Sequence, residues 1–434
     1  MALAPEAIGI LGIIVLLVLL LLRIPVAFVL ALVGFVGYWL IVGPEAALKI
    51  VSMVPYSTMA NYTFSVVPLF LLMGYFAYSA GFATDMFKTG RIWLGHIPGG
   101  LGHATILGGA AFGAVSGSGI ASTAVIAKIT TPQMIQSGMN RNLAYGIVAS
   151  AGPLASMIPP SMIMVIFAII TETSIADLFV AGILPGLLIA FLYMVLVYVR
   201  VKINPSLAPP IEKTTLKERF GSLKYTWGLA VLGFIIIGGI YTGIFTPTEA
   251  GGIGAFAAFI MALLLKRINK DVMKESLIET IKTTSMVFFI VVGSMIFGYF
   301  LGITRIPTLV SDFLTALPVA PVVIIIGIVV LYLILGMFID MISAMFLTLP
   351  ILFPTIISLG YDPVWFGILI VFLTEVALVT PPLGLSLFII KGAVPNSELE
   401  DVIKGSLPFI VVDLVIIVLL ILFPQIVLFL PNQM

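Results

Sequence analysis

The chain has 434 residues, 61% hydrophobic and only 9% charged, with a mean hydropathy of +1.26. A soluble domain carries roughly 25% charged residues, so this composition places the chain in a membrane. A net charge of +1 implies no nucleic-acid partner and no bulk acidic partner, and the absence of cysteine excludes disulfides and thiolate metal sites.

Apolar runs of about 18 or more residues are long enough to cross a bilayer as helices. Ten spanning segments are expected, at about 7–22, 24–43, 64–81, 142–170, 177–199, 227–243, 248–265, 283–302, 363–390 and 406–430. The first has no basic stretch before it and no A-x-A site after it, so it reads as a retained helix rather than a signal peptide. Segments 44–60, 82–95 and 303–317 are short, of mixed polarity and broken by Pro or Gly. They read as amphipathic helices lying at the interface with membrane lipid. The stretch 200–226, with "NPSLAPPIEK", reads as a polar linker between two halves.

Orientation follows from charge. Loops 200–226 and 266–282 hold most of the basic residues, which places them in the cytoplasm. Counting passes outward puts both termini outside. Of the 20 basic residues, all but Lys49 and Arg305 then fall on the cytoplasmic side, including Arg23, Lys88, Arg91, Lys128, Arg141, Lys391 and Lys404.

The chain also matches itself at an offset near 222. Pro159-Pro160 matches Pro381-Pro382, Pro132 matches Pro354 and Gly138 matches Gly360, all at 222. Ser174, Gly182 and Pro185 match Ser397, Gly405 and Pro408 at 223, and "GYF" at 74–76 matches "GYF" at 298–300. Five spans per half is an odd number, so the second half should be inverted relative to the first. Inverted repeats about an axis in the membrane plane are a transporter architecture.

Between the spans lie two paired shorter segments, 104–131 and 321–357, expected to be re-entrant hairpins. The arm "ATILGGAAFGAVSG" reaches roughly 20 Å as a helix, short of a core about 30 Å thick. Its turn is read as "SGSGIAS", Ser116 to Ser122, where glycine permits a tight backbone and hydroxyls satisfy freed amides. Gly109, Gly113 and Gly117 form a stripe that suits either close backbone approach or plain helix packing. The second tip is "LGMFIDMISA", Leu335 to Ala344.

After each hairpin a helix is interrupted, by "SAGPLASMIPPS" and by "EVALVTPPLGLS". Paired prolines remove donors and leave carbonyls upstream unpaired. Those carbonyls, about four residues before each proline pair, suit a hard cation, with the hydroxyls of Ser156, Ser161 and Thr380 nearby in sequence. Asp340 in the second tip reads as a cation ligand or charge compensator, since an acidic residue there is expensive. Its alternative is a loop aspartate in water. Glu375 reads as a second polar anchor or the partner of a basic residue. Arg305 reads as a substrate-carboxylate contact or a headgroup anchor. His96 and His103 read as interfacial.

The runs "FGAVSGSGIASTAVIAKITTPQM", "SAGPLASMIPPSMIMVIFA", "AGILPG", "FIDMISAMFLTLPILFPTI" and "ALVTPPLGLSLFII" resemble the large membrane subunit of tripartite ATP-independent periplasmic (TRAP) transporters, sialic-acid members most of all. The resemblance covers nearly the whole chain. It implies an all-α polytopic membrane protein of the elevator-type ion transporter fold in a bacterial inner membrane. Its sodium gradient, with about two or more sodium ions, would drive import of an organic anion. It further implies a small four-helix membrane subunit, a soluble periplasmic substrate-binding protein and no ATP hydrolysis. The chain has no G-x-x-x-x-G-K-[ST] motif.

On this resemblance, 1–103 and 227–320 are scaffold, while 104–199 and 321–434 carry the moving hairpins and broken helices, with 200–226 as linker. Ser116, Ser118 and Gly119 fall on the first tip, and Gly336, Asp340 and Ser343 on the second. The cation set is then Ser116, Ser118, Ser156, Pro159, Gly336, Asp340, Thr380 and Pro381, and the substrate set Gly119, Ser122, Ser343 and Arg305. A lipid-linked transferase would need D-D-x-x-D or H-E-x-x-H, and neither occurs. A channel would show a filter-like motif. The nearest rival is a stand-alone sodium–dicarboxylate symporter of related fold.

Overall fold

A computed structural model describes residues 4–22, 24–211, 213–337, 339–382 and 384–434. Arg23 of the charge count, Phe338 of the second tip, Glu212 of the linker and Leu383 of the second break lie outside the described residues. The described chain is helical. In order the helices are α1 Pro5–Leu21, α2 Val26–Val42, α3 Pro44–Met59, α4 Val66–Ser79, α5 Phe82–Leu94, α6 Gly100–Ser116 and α7 Gly119–Gln136. Then come α8 Arg141–Ala151, α9 Met162–Thr171, α10 Ile175–Ile203, α11 Leu216–Tyr241, α12 Pro247–Leu264 and α13 Lys270–Thr304. The last are α14 Ile306–Ala316, α15 Pro321–Gly336, α16 Met341–Ser358, α17 Pro363–Val379, α18 Leu385–Ala393, α19 Leu399–Leu422 and α20 Gln425–Leu428.

Among the described residues, 6 helical stretches are both long and apolar enough to span a bilayer on their own: Tyr62–Ser79, α10, α11, α12, α13 and α19. The remaining four expected spans take other forms. α1 and α2 are 17 residues each, roughly 25 Å long. Segments 142–170 and 363–390 are each two helices with a break between them, as the prolines dictate. The breaks are unequal: residues 152–161 in the first, with a 3-10 turn at Pro153–Ser156, against 380–384 in the second. Both proline pairs, Pro159-Pro160 and Pro381-Pro382, are joined by cis peptides.

The linker is narrower than its composition suggests. α10 runs on to Ile203, and α11 begins at Leu216. Thr215 caps α11, accepting the Glu218 amide while Glu218 accepts the Thr215 amide in return. That T-x-x-E box starts the helix well before the apolar run.

Packing sorts the helices by how much surface they hide. Every residue of α17 from Val364 to Val379 is buried, and so is α8 from Leu143 to Ala151. A helix apolar on all sides belongs at the centre, and these two carry the breaks. α8 packs along α19, and α17 against α15, α9, α10 and α19. α1, α2 and α15 instead leave Ile10, Ile14, Phe28, Leu40, Val323 and Ile326 exposed. Such broad apolar exposure suits lipid rather than water. α2 packs on α13 and α4 on α12, while α5 lies against α6 and α11, and α14 against α16.

Candidate functional site

The first hairpin turns in two residues, not seven. α6 ends at Ser116, Gly117 takes the left-handed conformation at φ 61° and donates to the Gly113 carbonyl, and Ser118 caps α7. The Ser118 hydroxyl accepts the Ala121 amide at 3.4 Å. Ser116 and Ser122 share a 2.7 Å hydrogen bond across the turn. Ser122 is buried and Ser116 half-buried.

This tip is docked in the first break. The Gly119 amide donates to Ser156 Oγ at 2.8 Å, and the Met162 amide to the Gly117 carbonyl at 3.2 Å. The glycine stripe explains how the two backbones come so close. A Cβ at Gly109 would stand 2.7 Å from the Ala151 carbonyl oxygen, one at Gly113 would meet Ala155, and one at Gly117 would be 3.0 Å from the Pro160 carbonyl oxygen. Its role is therefore close approach, and the neighbour is the broken helix itself. α7 also reaches the second break. Thr123 donates to the Gly119 carbonyl at 2.8 Å and lies 3.4 Å from the Ser386 hydroxyl at the start of α18.

The second tip is built differently. Asp340 caps α16, accepting the Ser343 amide at 3.0 Å and also the Ser343 hydroxyl. Asp340 is exposed and Ser343 buried. Gly336, at the end of α15, packs on Ala377 of α17. The Thr380 hydroxyl donates to the Val376 carbonyl at 2.7 Å, and the Gly384 amide to the Thr380 carbonyl at 3.1 Å. The structure thus brings Ser116, Ser118, Gly119, Ser122 and Ser156 together, with Pro160 beside them and Pro159 in the same break. Gly336 joins the second tip to α17, which ends at Val379 just before Thr380 and Pro381.

Arg305 is not drawn into either cluster. It is exposed, in left-handed backbone at φ 59°, at the joint of α13 and α14. His103 is 2% exposed, its Nε2 2.9 Å from the Pro98 carbonyl oxygen, while His96 Nδ1 lies 3.2 Å from Arg219 Nη2.

Glu375 turns out to be central. It is 3% exposed on α17, and neither carboxylate oxygen has a hydrogen-bond partner among the described residues. A Cβ on Gly119 would stand 2.8 Å from Glu375 Oε2 and 3.0 Å from Ser156 Oγ. The carboxylate of the second broken helix therefore faces the N-terminus of α7, where helix amides favour negative charge. Asp413 on α19 escaped the sequence reading altogether. It is fully buried and accepts the Tyr193 hydroxyl at 2.5 Å. A single acidic residue in the last apolar run was the available signal.

The family described as tripartite ATP-independent periplasmic transporter, DctM component, matches residues 13–426. The chain is 35% identical to the C4-dicarboxylate TRAP transporter large permease protein DctM of Pseudomonas aeruginosa, over 87% of this chain and 88% of that protein. It is 32% identical to the sialic acid TRAP transporter large permease protein SiaM of Vibrio cholerae, over 86% and 87%. It is also 32% identical to the 2,3-diketo-L-gulonate TRAP transporter large permease protein YiaN of Escherichia coli, over 85% and 86%. These identities do not single out sialic-acid proteins from the others. In fold the chain resembles the Alcanivorax borkumensis YdaH transporter, with a TM-score of 0.62 at 14% identity, over 88% of this chain and 89% of that one.

Proposed function

The chain belongs to the DctM component family of tripartite ATP-independent periplasmic transporters, and from that premise we propose that it is the sodium-coupled large permease of an organic-anion importer. As a large permease it is a multi-pass inner-membrane protein that takes part in substrate translocation. The tripartite family pairs it with a small membrane subunit and a periplasmic binding protein.

The observation that carries sodium coupling is the docking of the first tip on the first break. Ser116, Ser122 and Ser156 bring oxygens to Gly117–Gly119, and the Glu375 carboxylate stands beside them. Hard cations take oxygen ligands, and irregular backbone at membrane depth survives where it is covered or lines a site. The Asp340–Ser343 cap and the Thr380–Pro382 break form the corresponding set in the second half. In this reading hairpins and broken helices move together past the scaffold α2, α4, α12 and α13, as in an elevator, with the second half inverted.

The substrate is an organic anion, a carboxylate in the first instance. C4-dicarboxylate, sialic acid and 2,3-diketo-L-gulonate all carry that group, and the relatives are named for them. The test is uptake into liposomes holding the chain and its small subunit, with binding protein outside. An inward sodium gradient should drive accumulation of labelled C4-dicarboxylate or sialic acid, and potassium should not replace it. Equal uptake without sodium overturns the coupling. Uptake by the chain alone would favour the stand-alone symporter.

A further inference from the structure

Two carboxyl groups distant in sequence share one small cavity under the first break. Glu375 on α17 and Asp413 on α19 both line it, with Pro153 and Met157 of the break and Tyr193 of α10; its volume is about 10 Å³. Glu375 is 3% exposed, Asp413 0% and Ser150, on α8, 0%. Asp413 Oδ1 accepts the Tyr193 hydroxyl at 2.5 Å. Asp413 Oδ2, both oxygens of Glu375 and Ser150 Oγ have no hydrogen-bond partner among the described residues. No lysine or arginine lines the cavity, and neither carboxylate is in an ion pair among the described residues.

Buried polar atoms are normally satisfied, and buried charges are paired or hold a metal. Three orphaned carboxylate oxygens on two helices around one cavity are therefore an unusual concentration. A structural ion-pair network would have supplied a cation from the protein, and this cluster has none. Water could satisfy part of it, since the cavity has room for about one water-sized sphere. Water leaves any charge on the carboxyls uncompensated; a proton or a small cation compensates it, and of the two only the cation is held by several oxygens at once. Divalent ions fit poorly: calcium takes about six to eight oxygens, and magnesium keeps waters that this cavity cannot hold. A monovalent ion needs less charge and fewer ligands. The N-terminus of α7 at Gly119 offsets the negative charge left over.

We propose that Glu375 and Asp413, with the hydroxyl of Tyr193, form an internal monovalent-cation site that takes a sodium-sized ion. It is additional to the hairpin-tip positions, and it rests on the reading of the chain as a sodium-coupled permease. It ties the two halves together, because Tyr193 comes from the first and Glu375 and Asp413 from the second. Glu375 also faces the first tip, so an ion here would be sensed where the hairpin docks.

The test is sodium binding to the purified full chain in nanodiscs. Labelled sodium gives the number of ions bound, and melting temperature against sodium chloride, balanced with choline chloride, gives the affinity. Glu375→Gln and Asp413→Asn should each lose one ion from the count and weaken sodium-dependent stabilisation at least about tenfold, since even a residue that only orients a metal ligand is worth that much. The double variant should lose the same single ion. Tyr193→Phe keeps the ring packing and loses only the hydroxyl; it should still fold and should weaken sodium affinity, with some loss of melting temperature in choline because Asp413 Oδ1 is left unpaired. This variant decides the matter if the carboxyl variants do not fold. Wild-type ion count and affinity in Tyr193→Phe and in the folded carboxyl variants overturn the site. So does a melting temperature in the wild type that follows pH through these residues while ignoring sodium, since the cluster then holds protons. A wild-type chain that binds no sodium at all sinks the coupling itself, which is a different result from a wild type that binds sodium equally well with the cluster removed.

Discussion

The Glu375 carboxylate of α17 stands against Gly119, the first residue of α7. A Cβ built on that glycine would lie 2.8 Å from Glu375 Oε2, so the second broken helix and the first hairpin meet at one point. The same Cβ would be 3.0 Å from Pro153 Cα and from Ser156 Oγ. The tip, the first break and the second broken helix are thus held by contacts that leave no room for a methyl group.

Gly119→Ala tests that contact. Pro153 Cα is backbone inside the break and cannot swing aside as a side chain could. Overpacking of this kind costs about 1–3 kcal/mol. The variant should melt lower and need more sodium for half-maximal uptake. Wild-type melting and wild-type sodium dependence together would mean that the tip and break are not docked this way during transport.

Asp340 has two separable roles. It caps α16 through the Ser343 amide at 3.0 Å, and it carries a negative charge at the second tip. Asparagine caps a helix about as well as aspartate, whereas alanine in place of either loses about 0.5–2 kcal/mol. Asp340→Asn should therefore keep the melting temperature and raise the sodium requirement for uptake. Asp340→Ala should do both kinds of damage. If the asparagine variant transports with unchanged sodium dependence, the residue is a helix cap and nothing more.

The hairpins and breaks were legible because proline and glycine act locally: Pro159-Pro160 and Pro381-Pro382 break a helix wherever they sit, and Gly117 marks its turn. Lengths were less legible. The tip was expected to span Ser116 to Ser122, but Ser118 caps α7 at once and the helix resumes at Gly119. The polar stretch 200–226 includes the first turns of α11, because the Thr215–Glu218 capping box starts that helix among polar residues. Asp413 was missed for a stronger reason. Its meaning depends on Tyr193, 220 positions earlier in the chain, and the repeat offset near 222 relates equivalent positions of the two halves, not side chains in contact.

Topology can be tested with single cysteines, since the chain has none of its own. Ser222, in the basic first turns of α11, is a poor site: it is 2% exposed, and its carbonyl accepts the Thr89 hydroxyl at 3.2 Å. Lys213 and Asn432 are exposed. Lys213→Cys should react with an impermeant maleimide only from the cytoplasmic side, and Asn432→Cys only from outside. The opposite pattern at either position refutes the ten-span arrangement and its charge bias.

The last prediction concerns the crossing of α8 and α19, on which the geometry of the first break depends. A Cβ on Gly146 would collide with the Gly405 carbonyl, and one on Gly405 with the Asn142 carbonyl. Both obstacles are backbone, so the helices would have to part, taking with them Ser150 on α8 and Asp413 on α19. Gly146→Ala and Gly405→Ala should each lower the melting temperature, at a cost of about 1–3 kcal/mol or more. The two changes open the same crossing, so the double variant should cost less than the sum of the singles, with a coupling of at least about 0.5 kcal/mol. Gly298→Ala on α13 is the comparison: nothing lies within 4 Å of its Cβ, and alanine there gains up to about 1 kcal/mol of helix propensity. It should melt at or above the wild-type temperature. Strict additivity at the crossing, or an equal loss at Gly298, would show that glycine is tolerated in these helices for reasons other than the close approach of α8 and α19.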